Sequence, residues 1–206
     1  ARSAWLSFLV YFLIILFVFL KKKVYSKRII CLCAAFLVSF LLVNITSNFS
    51  PLKRVSTSLN YETQYSYEND DFERLGSGRV FIWKRALKLV MIHPVLGSGV
   101  DTTENMFMKY YKNDVKKFMG DNVSVDKAHN EVLQIMVTEG IPAAAVYVLI
   151  VFYVIYKGYK NKDNIIVFSL LCSVISYFVQ SMFNISNVGI ASTYWLFLGI
   201  IISALK

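Results

Sequence analysis

Residues Asp126–Tyr156 read DKAHNEVLQIMVTEGIPAAAVYVLIVFYVIY. As one continuous helix this stretch would run roughly 45 Å, well beyond the ~30 Å hydrocarbon core of a bilayer. Its apolar second half therefore reads as a membrane crossing, with the first turns projecting above the hydrocarbon. On that reading Asp126 is the N-cap, and His129 falls in the first helical turn. Asn130, Glu131, Gln134 and Thr138 then share a face about 100° wide. Polar side chains at that depth face protein or a water-filled cavity rather than lipid.

The flanking chain has the same character. It is 56% hydrophobic, which makes it a polytopic membrane protein built from helices. Upstream lie two apolar segments, Ser3–Leu20 and Ile29–Ile45; downstream lie Ile165–Phe183 and Gly189–Leu205. With the 126–156 segment these predict about five transmembrane helices. The chain divides into helices one and two (residues 1–46), a large external loop (47–127) and helices three to five (128–206). It begins Ala1-Arg2-Ser3, without Met and almost at once inside an apolar run. That start is expected of the C-terminal part of a longer protein, not of a cleaved signal peptide.

The formal charge of +9 does not describe a nucleic-acid surface. Residues 47–127 hold twelve Lys/Arg and ten Asp/Glu, a balance of only +2. Most of the excess lies in short loops, Lys21–Arg28 and Lys157–Lys162. By the positive-inside rule these are cytoplasmic, and the 47–127 loop and the turn Asn184–Val188 face outward. Cys31, Cys33 and Cys172 fall in apolar segments and read as packing residues. No spacing of His, Cys, Asp or Glu resembles a metal box.

Within the loop, residues 47–75 have no clear periodicity. Residues 79–92 read as an amphipathic helix, with Arg79, Trp83, Leu87 and Met91 four apart and Ser77 available as a cap. Pro94 disfavours helix at His93 and predicts the end of that element. Gly97 and Gly99 allow a tight turn, and 101–120 read as a second helix with Lys109, Lys112, Lys116 and Lys117 outward. Ser169, Ser173, Ser176 and Gln180 share one face of the fourth segment, a pattern of helix–helix packing or of substrate lining.

Several side chains can carry chemistry. A guanidinium at Arg79, beside the unpaired N–H groups of a helix start, receives an oxyanion, or else pairs with Asp70, Asp71 or Glu73. Arg85 and Lys84 either line the same groove or solvate the outer face. His129 in a first helical turn is favoured in its neutral, proton-accepting form, with Asn130 and Glu131 as polar neighbours. His93 reads as a helix-end residue. Arg2 sits at the mouth of segment one, on the side of the long loop.

The ordered set Ser77-Gly78-Arg79-x3-Trp83, His93-Pro94-x2-Gly97-x-Gly99 and Ala128-His129-Asn130-x2-Leu133-Gln134-x4-Glu139-Gly140-Ile141-Pro142 resembles the O-antigen ligase/polymerase superfamily of bacterial membrane glycosyltransferases. Arg2-Ser3-Ala4-Trp5 is similar to the start of a core helix in that family, with Ala rather than Ser before the arginine. The resemblance implies a GT-C-like bundle, of which this chain is the C-terminal half, in the bacterial inner membrane with an external active site. It implies metal-independent, inverting transfer without a cofactor. The implied partners are a polyprenyl-diphosphate-linked oligosaccharide, an acceptor glycan, the lipid bilayer and other polysaccharide-assembly proteins, with no nucleic acid. Carried over, Arg79, Arg2 and Arg85 hold the donor diphosphate, His129 activates the acceptor hydroxyl, and Asn130, Glu131 and Trp83 support them. A Lys-, Asn-, Ile- and Tyr-rich composition inclines the reading to a repeat-unit polymerase. The alternatives are a ligase acting on lipid A-core and, from another class, a non-enzymatic transporter or flippase fragment.

Overall fold

A computed structural model describes residues 72–204 continuously, together with short runs and single residues between 7 and 64. Arg2, Asp70, Asp71, Cys31, Cys33, the basic loop 21–28 and most of apolar segments one and two lie outside the described residues. After a 3-10 turn at Phe72–Arg74 come six helices: α1 (Arg79–Val90), α2 (Thr103–Met119), α3 (Glu131–Thr138), α4 (Ile141–Lys160), α5 (Ile165–Ser181) and α6 (Val188–Ser203). The described residues contain no strand, and those between 53 and 64 are helical, a regularity that periodicity does not reveal.

Two apolar cores form. The first gathers Phe81, Ala86 and Leu89 of α1, Phe107 of α2, and Leu133 and Val137 of α3. The second joins α4, α5 and α6 through Val151, Val154, Leu171, Val174, Leu198 and Ile201. Connections of four and six residues make α4, α5 and α6 antiparallel neighbours. Among the described helices α4 is long and apolar enough to cross a membrane; α5 and α6 are apolar but shorter. At 20 residues α4 spans about 30 Å, the thickness of the hydrocarbon core.

The 126–156 stretch is not one helix. It breaks at Glu139-Gly140, where Gly140 takes φ 96 and Pro142 opens α4. The break is held by the His93–Gly99 loop, which caps both helices at once. Ser98 and Gly99 N–H donate to the Val137 and Thr138 carbonyls at the end of α3 (2.9 and 2.8 Å), and Ile141 N–H donates to the Pro94 carbonyl (2.8 Å). Helix ends must satisfy such orphan groups somewhere, and here a single loop does so for two ends. The backbones pass so close that a Cβ on Gly97 would overlap Thr138 and Glu139, and one on Gly140 would overlap the Val95 carbonyl. The motif glycines therefore serve close approach as well as turning.

Other expectations are corrected. Asp126 caps nothing: the N-cap of α3 is Asn130, whose side chain accepts from Leu133 N–H at 3.0 Å. Ser77 is likewise not a cap; Gly78 holds that position in the left-handed region, with φ 78 and no side-chain bond. Helix α1 stops at Val90, before the proline restricts it. Its buried face is Phe81, Ile82, Ala86, Leu89 and Val90, whereas Leu87 and Met91 of the four-apart stripe are exposed. The lysines of α2 do point outward. In α5, Ser169 and Ser173 donate to carbonyls of their own helix, and Ser176 donates to the Ser7 carbonyl at 3.0 Å. Ser176 is thus a helix-packing residue.

Candidate functional site

His129 lies one residue before the cap of α3, outside the helix, in the left-handed region at φ 52. A non-glycine residue there costs on the order of 1–2 kcal/mol and needs neighbours that impose it. They are present on both sides. The buried Ala128 is pinned twice: its N–H donates to Gln134 Oε1 at 2.8 Å, and its carbonyl accepts from Trp83 Nε1 at 2.9 Å. Gln134 is in turn fixed by donating to Thr103 Oγ1 at 2.8 Å. On the far side, the Asn130 cap locks the start of α3. Helices α1, α2 and α3 therefore converge on the peptide that carries His129.

The imidazole opens on a cleft of about 180 Å³ that it shares with Asp101, Glu131, Gln134, Glu139 and the turn Asn184–Ser186. Asp101, at φ 61, is a second non-glycine residue in the left-handed region on this cleft. His129 Nδ1 is buried and makes no hydrogen bond among the described residues. Burial first, and then the charge of Arg79, lowers the His129 pKa below the usual imidazole value, with Asp126 opposing. The neutral form is favoured as expected, but by burial and Arg79 rather than by a place in the first turn of a helix. Burial also raises the pKa of Glu131, as does Glu139, against the effects of Lys127 and the hydrogen bonds to Ser186.

Arg79 opens α1, half-buried and near enough to bear electrostatically on His129. Trp83, one turn on, carries the bond to Ala128, so one face of α1 serves both groups. Arg85 is elsewhere. Six residues past Arg79 it lies about 120° round the helix. It pairs with Glu73 at 2.7 Å and Asp114 at 3.2 Å, and its guanidinium stacks 3.5 Å over the Phe81 ring. Burial pushes the Glu73 carboxyl up, but hydrogen bonds and charge from Arg85 and Lys84 outweigh it and hold its pKa below the usual range. The structure thus brings together Arg79, Trp83, His129, Asn130 and Glu131, and places Arg85 in an ion-pair cluster that ties α1 to α2.

Sequence reasoning left out the positioning bonds of Gln134 and Thr103 and the contribution of the Asn184–Ser186 turn. Gln134 stands in the motif, but only the fold reveals that it reaches back to Ala128. The turn is more than 50 residues from His129 in sequence, and no local signal connects the two.

Residues 1–148 match a family model described as O-antigen ligase. The chain is 27% identical over 125 residues to a protein of Rickettsia typhi provisionally named a polysaccharide ligase, covering 59% of this chain and 29% of that protein. A similarly named protein of Rickettsia prowazekii is 29% identical over 134 residues, with the same coverage of each chain. The chain thus spans under a third of the length of these relatives.

Proposed function

The chain belongs to the O-antigen ligase family, and from that premise we propose that it transfers a polyprenyl-diphosphate-linked glycan to an acceptor sugar hydroxyl in surface-polysaccharide assembly. The observation that carries this reading is His129: an imidazole whose pKa burial and Arg79 lower, held in a strained backbone position on a cleft. In the proposed step the acceptor oxygen attacks the anomeric carbon, the bond from that carbon to the phosphate oxygen breaks, and the lipid diphosphate leaves. The hydroxyl proton passes to His129, and the anomeric configuration inverts without a metal. Arg79 holds the diphosphate through its planar fork, with Arg2 joining it from the first segment. Arg85, committed to Glu73 and Asp114, holds the scaffold. Negative charge arriving at Arg79 offsets the field that lowers the His129 pKa, so donor binding strengthens the base.

In this reading α4, α5 and α6 are helices of a larger GT-C-type bundle in the bacterial inner membrane, and the cleft faces outward. The acceptor is the growing glycan itself, which makes the enzyme a repeat-unit polymerase. The names of the relatives favour a second reading, a ligase that hands finished glycan to a separate acceptor. The products separate the two: a ladder of repeat units against a single addition.

The test is transfer by the full-length protein in nanodiscs, with the polyprenyl-diphosphate glycan as donor. His129→Ala should lower turnover by about 10²–10⁴, the usual worth of a general base, with donor binding near normal. Wild-type turnover in that variant would remove His129 from the mechanism, and Glu131 would be the next group to test.

A further inference from the structure

Beside the His129 cleft lies a larger cavity of about 510 Å³, at the C-terminal end of α5 and the N-terminal end of α6. The two share the wall Asn184-Ile185-Ser186. The lining chemistry of the cavity is distinctive. Tyr177, Gln180, Asn184, Ser186 and Asn187 bring amides and hydroxyls to it, and among the described residues no charged one takes part. The neighbouring cleft, by contrast, holds Asp101, Lys127, Glu131 and Glu139.

The polar groups of the cavity are only partly used by the protein. Tyr177 Oη lies 3.2 Å from Ser186 Oγ, and Asn187 accepts from Gly189 N–H as the cap of α6. The Tyr177 ring packs against Tyr194 at a tilt of 32° with centroids 4.6 Å apart, which restrains its orientation. Gln180 is half-buried, and its amide makes no hydrogen bond among the described residues. An anion would require a cation here, and an apolar ligand would leave the amides unpaired at a cost. A neutral, polyhydroxylated ligand satisfies both conditions, with hydroxyls on the amides and an apolar ring face against an aromatic one. The volume is in the range of small-ligand sites.

The geometry points to this cavity as a subsite for an uncharged sugar of the acceptor glycan, which delivers the reacting hydroxyl across the shared Asn184–Ser186 wall to His129. The inference rests on the glycan-transfer reading above and deepens it by assigning the acceptor its own binding surface, apart from the diphosphate.

The experiment uses the full-length protein in nanodiscs and, as probe, the deacylated repeat-unit oligosaccharide released from the surface polysaccharide of the same cells. Wild type, Gln180→Ala, Asn187→Ser and His129→Ala are compared by saturation-transfer NMR, and the first three also by transfer kinetics. Asn187→Ser replaces the amide with a hydroxyl but keeps a good helix cap. Gln180→Ala and Asn187→Ser should each weaken oligosaccharide binding about tenfold and raise acceptor KM to match, with donor KM unchanged. His129→Ala should bind as wild type does. Oligosaccharide binding and acceptor KM unaltered in both Gln180→Ala and Asn187→Ser would overturn the subsite while leaving the transfer reading intact. Binding that depends on Gln180 in a protein that catalyses no transfer would keep the subsite and overturn the transfer reading.

Discussion

Replacing Trp83 with Phe tests whether the scaffold acts through His129. The substitution keeps an aromatic ring but removes the indole N–H that donates to the Ala128 carbonyl at 2.9 Å. Ala128 is fully buried, so its carbonyl loses that partner out of reach of water. An unsatisfied buried acceptor costs about 1–3 kcal/mol, which should lower the melting temperature without abolishing the fold. The freed peptide immediately precedes His129, whose left-handed backbone is imposed by its neighbours. Relaxation of that strain would move the imbalance of the backbone into a displacement of the imidazole. A misplacement of about 1 Å can cost on the order of 10²-fold in rate, so turnover should fall roughly 10–100-fold. The assay is glycan transfer by the full-length enzyme, run as a cycle with His129→Ala. If Trp83 serves only to place the imidazole, Trp83→Phe should change the residual turnover of His129→Ala by less than about twofold. An equal fall in both backgrounds would refute the reasoning and leave Trp83 a residue of the fold alone.

Arg79→Gln should raise the His129 pKa toward the ordinary imidazole value, because a repelling positive charge is removed. In wild type the active neutral form persists to below the usual ~6.5, so the acid limb of activity lies below that pH. Imidazole NMR titration of the variant, with His93→Ala used for assignment, would show no change if the two groups are uncoupled. Gly140→Ala should prevent the loop–helix junction from closing, since its Cβ would overlap the Val95 carbonyl. Gly120→Ala, at a similar φ of 105 and ψ of 169 with open space around it, should cost about 1–3 kcal/mol from backbone strain alone; equal melting temperatures in the two variants would refute the close-approach argument. Cysteines placed at Lys117 and Lys160 should differ in intact cells. An impermeant thiol reagent should label the first and not the second, and the reverse pattern would put the His129 cleft on the cytoplasmic side.

Apolar run lengths and helical spacing are local properties, and they sufficed for the helical class, the long apolar helix within 141–160 and the outward lysines of α2. Chemical type and motif order pointed to Arg79, Trp83, His129, Asn130 and Glu131, which the fold gathers around one peptide; their roles are those proposed above. Which face of α1 is buried did not follow from spacing, because α1 packs against α3 and the choice depends on that partner. The break at Gly140 is written in Gly140 and Pro142, a helix-end glycine and a first-turn proline that the reading of one continuous helix passed over; what the sequence does not reveal is the His93–Gly99 loop that caps both ends. Arg79 and Arg85 are the same residue type on one helix, yet Arg85 pairs with Glu73 and Asp114, and the charge of Arg79 bears on His129. The same holds for the depressed His129 pKa, which the sequence reading attributed to a helix dipole and the structure attributes to burial and to Arg79. A sequence specifies which groups are available; only tertiary packing brings the Asn184–Ser186 turn to His129, because contacts between distant segments have no signature along the chain.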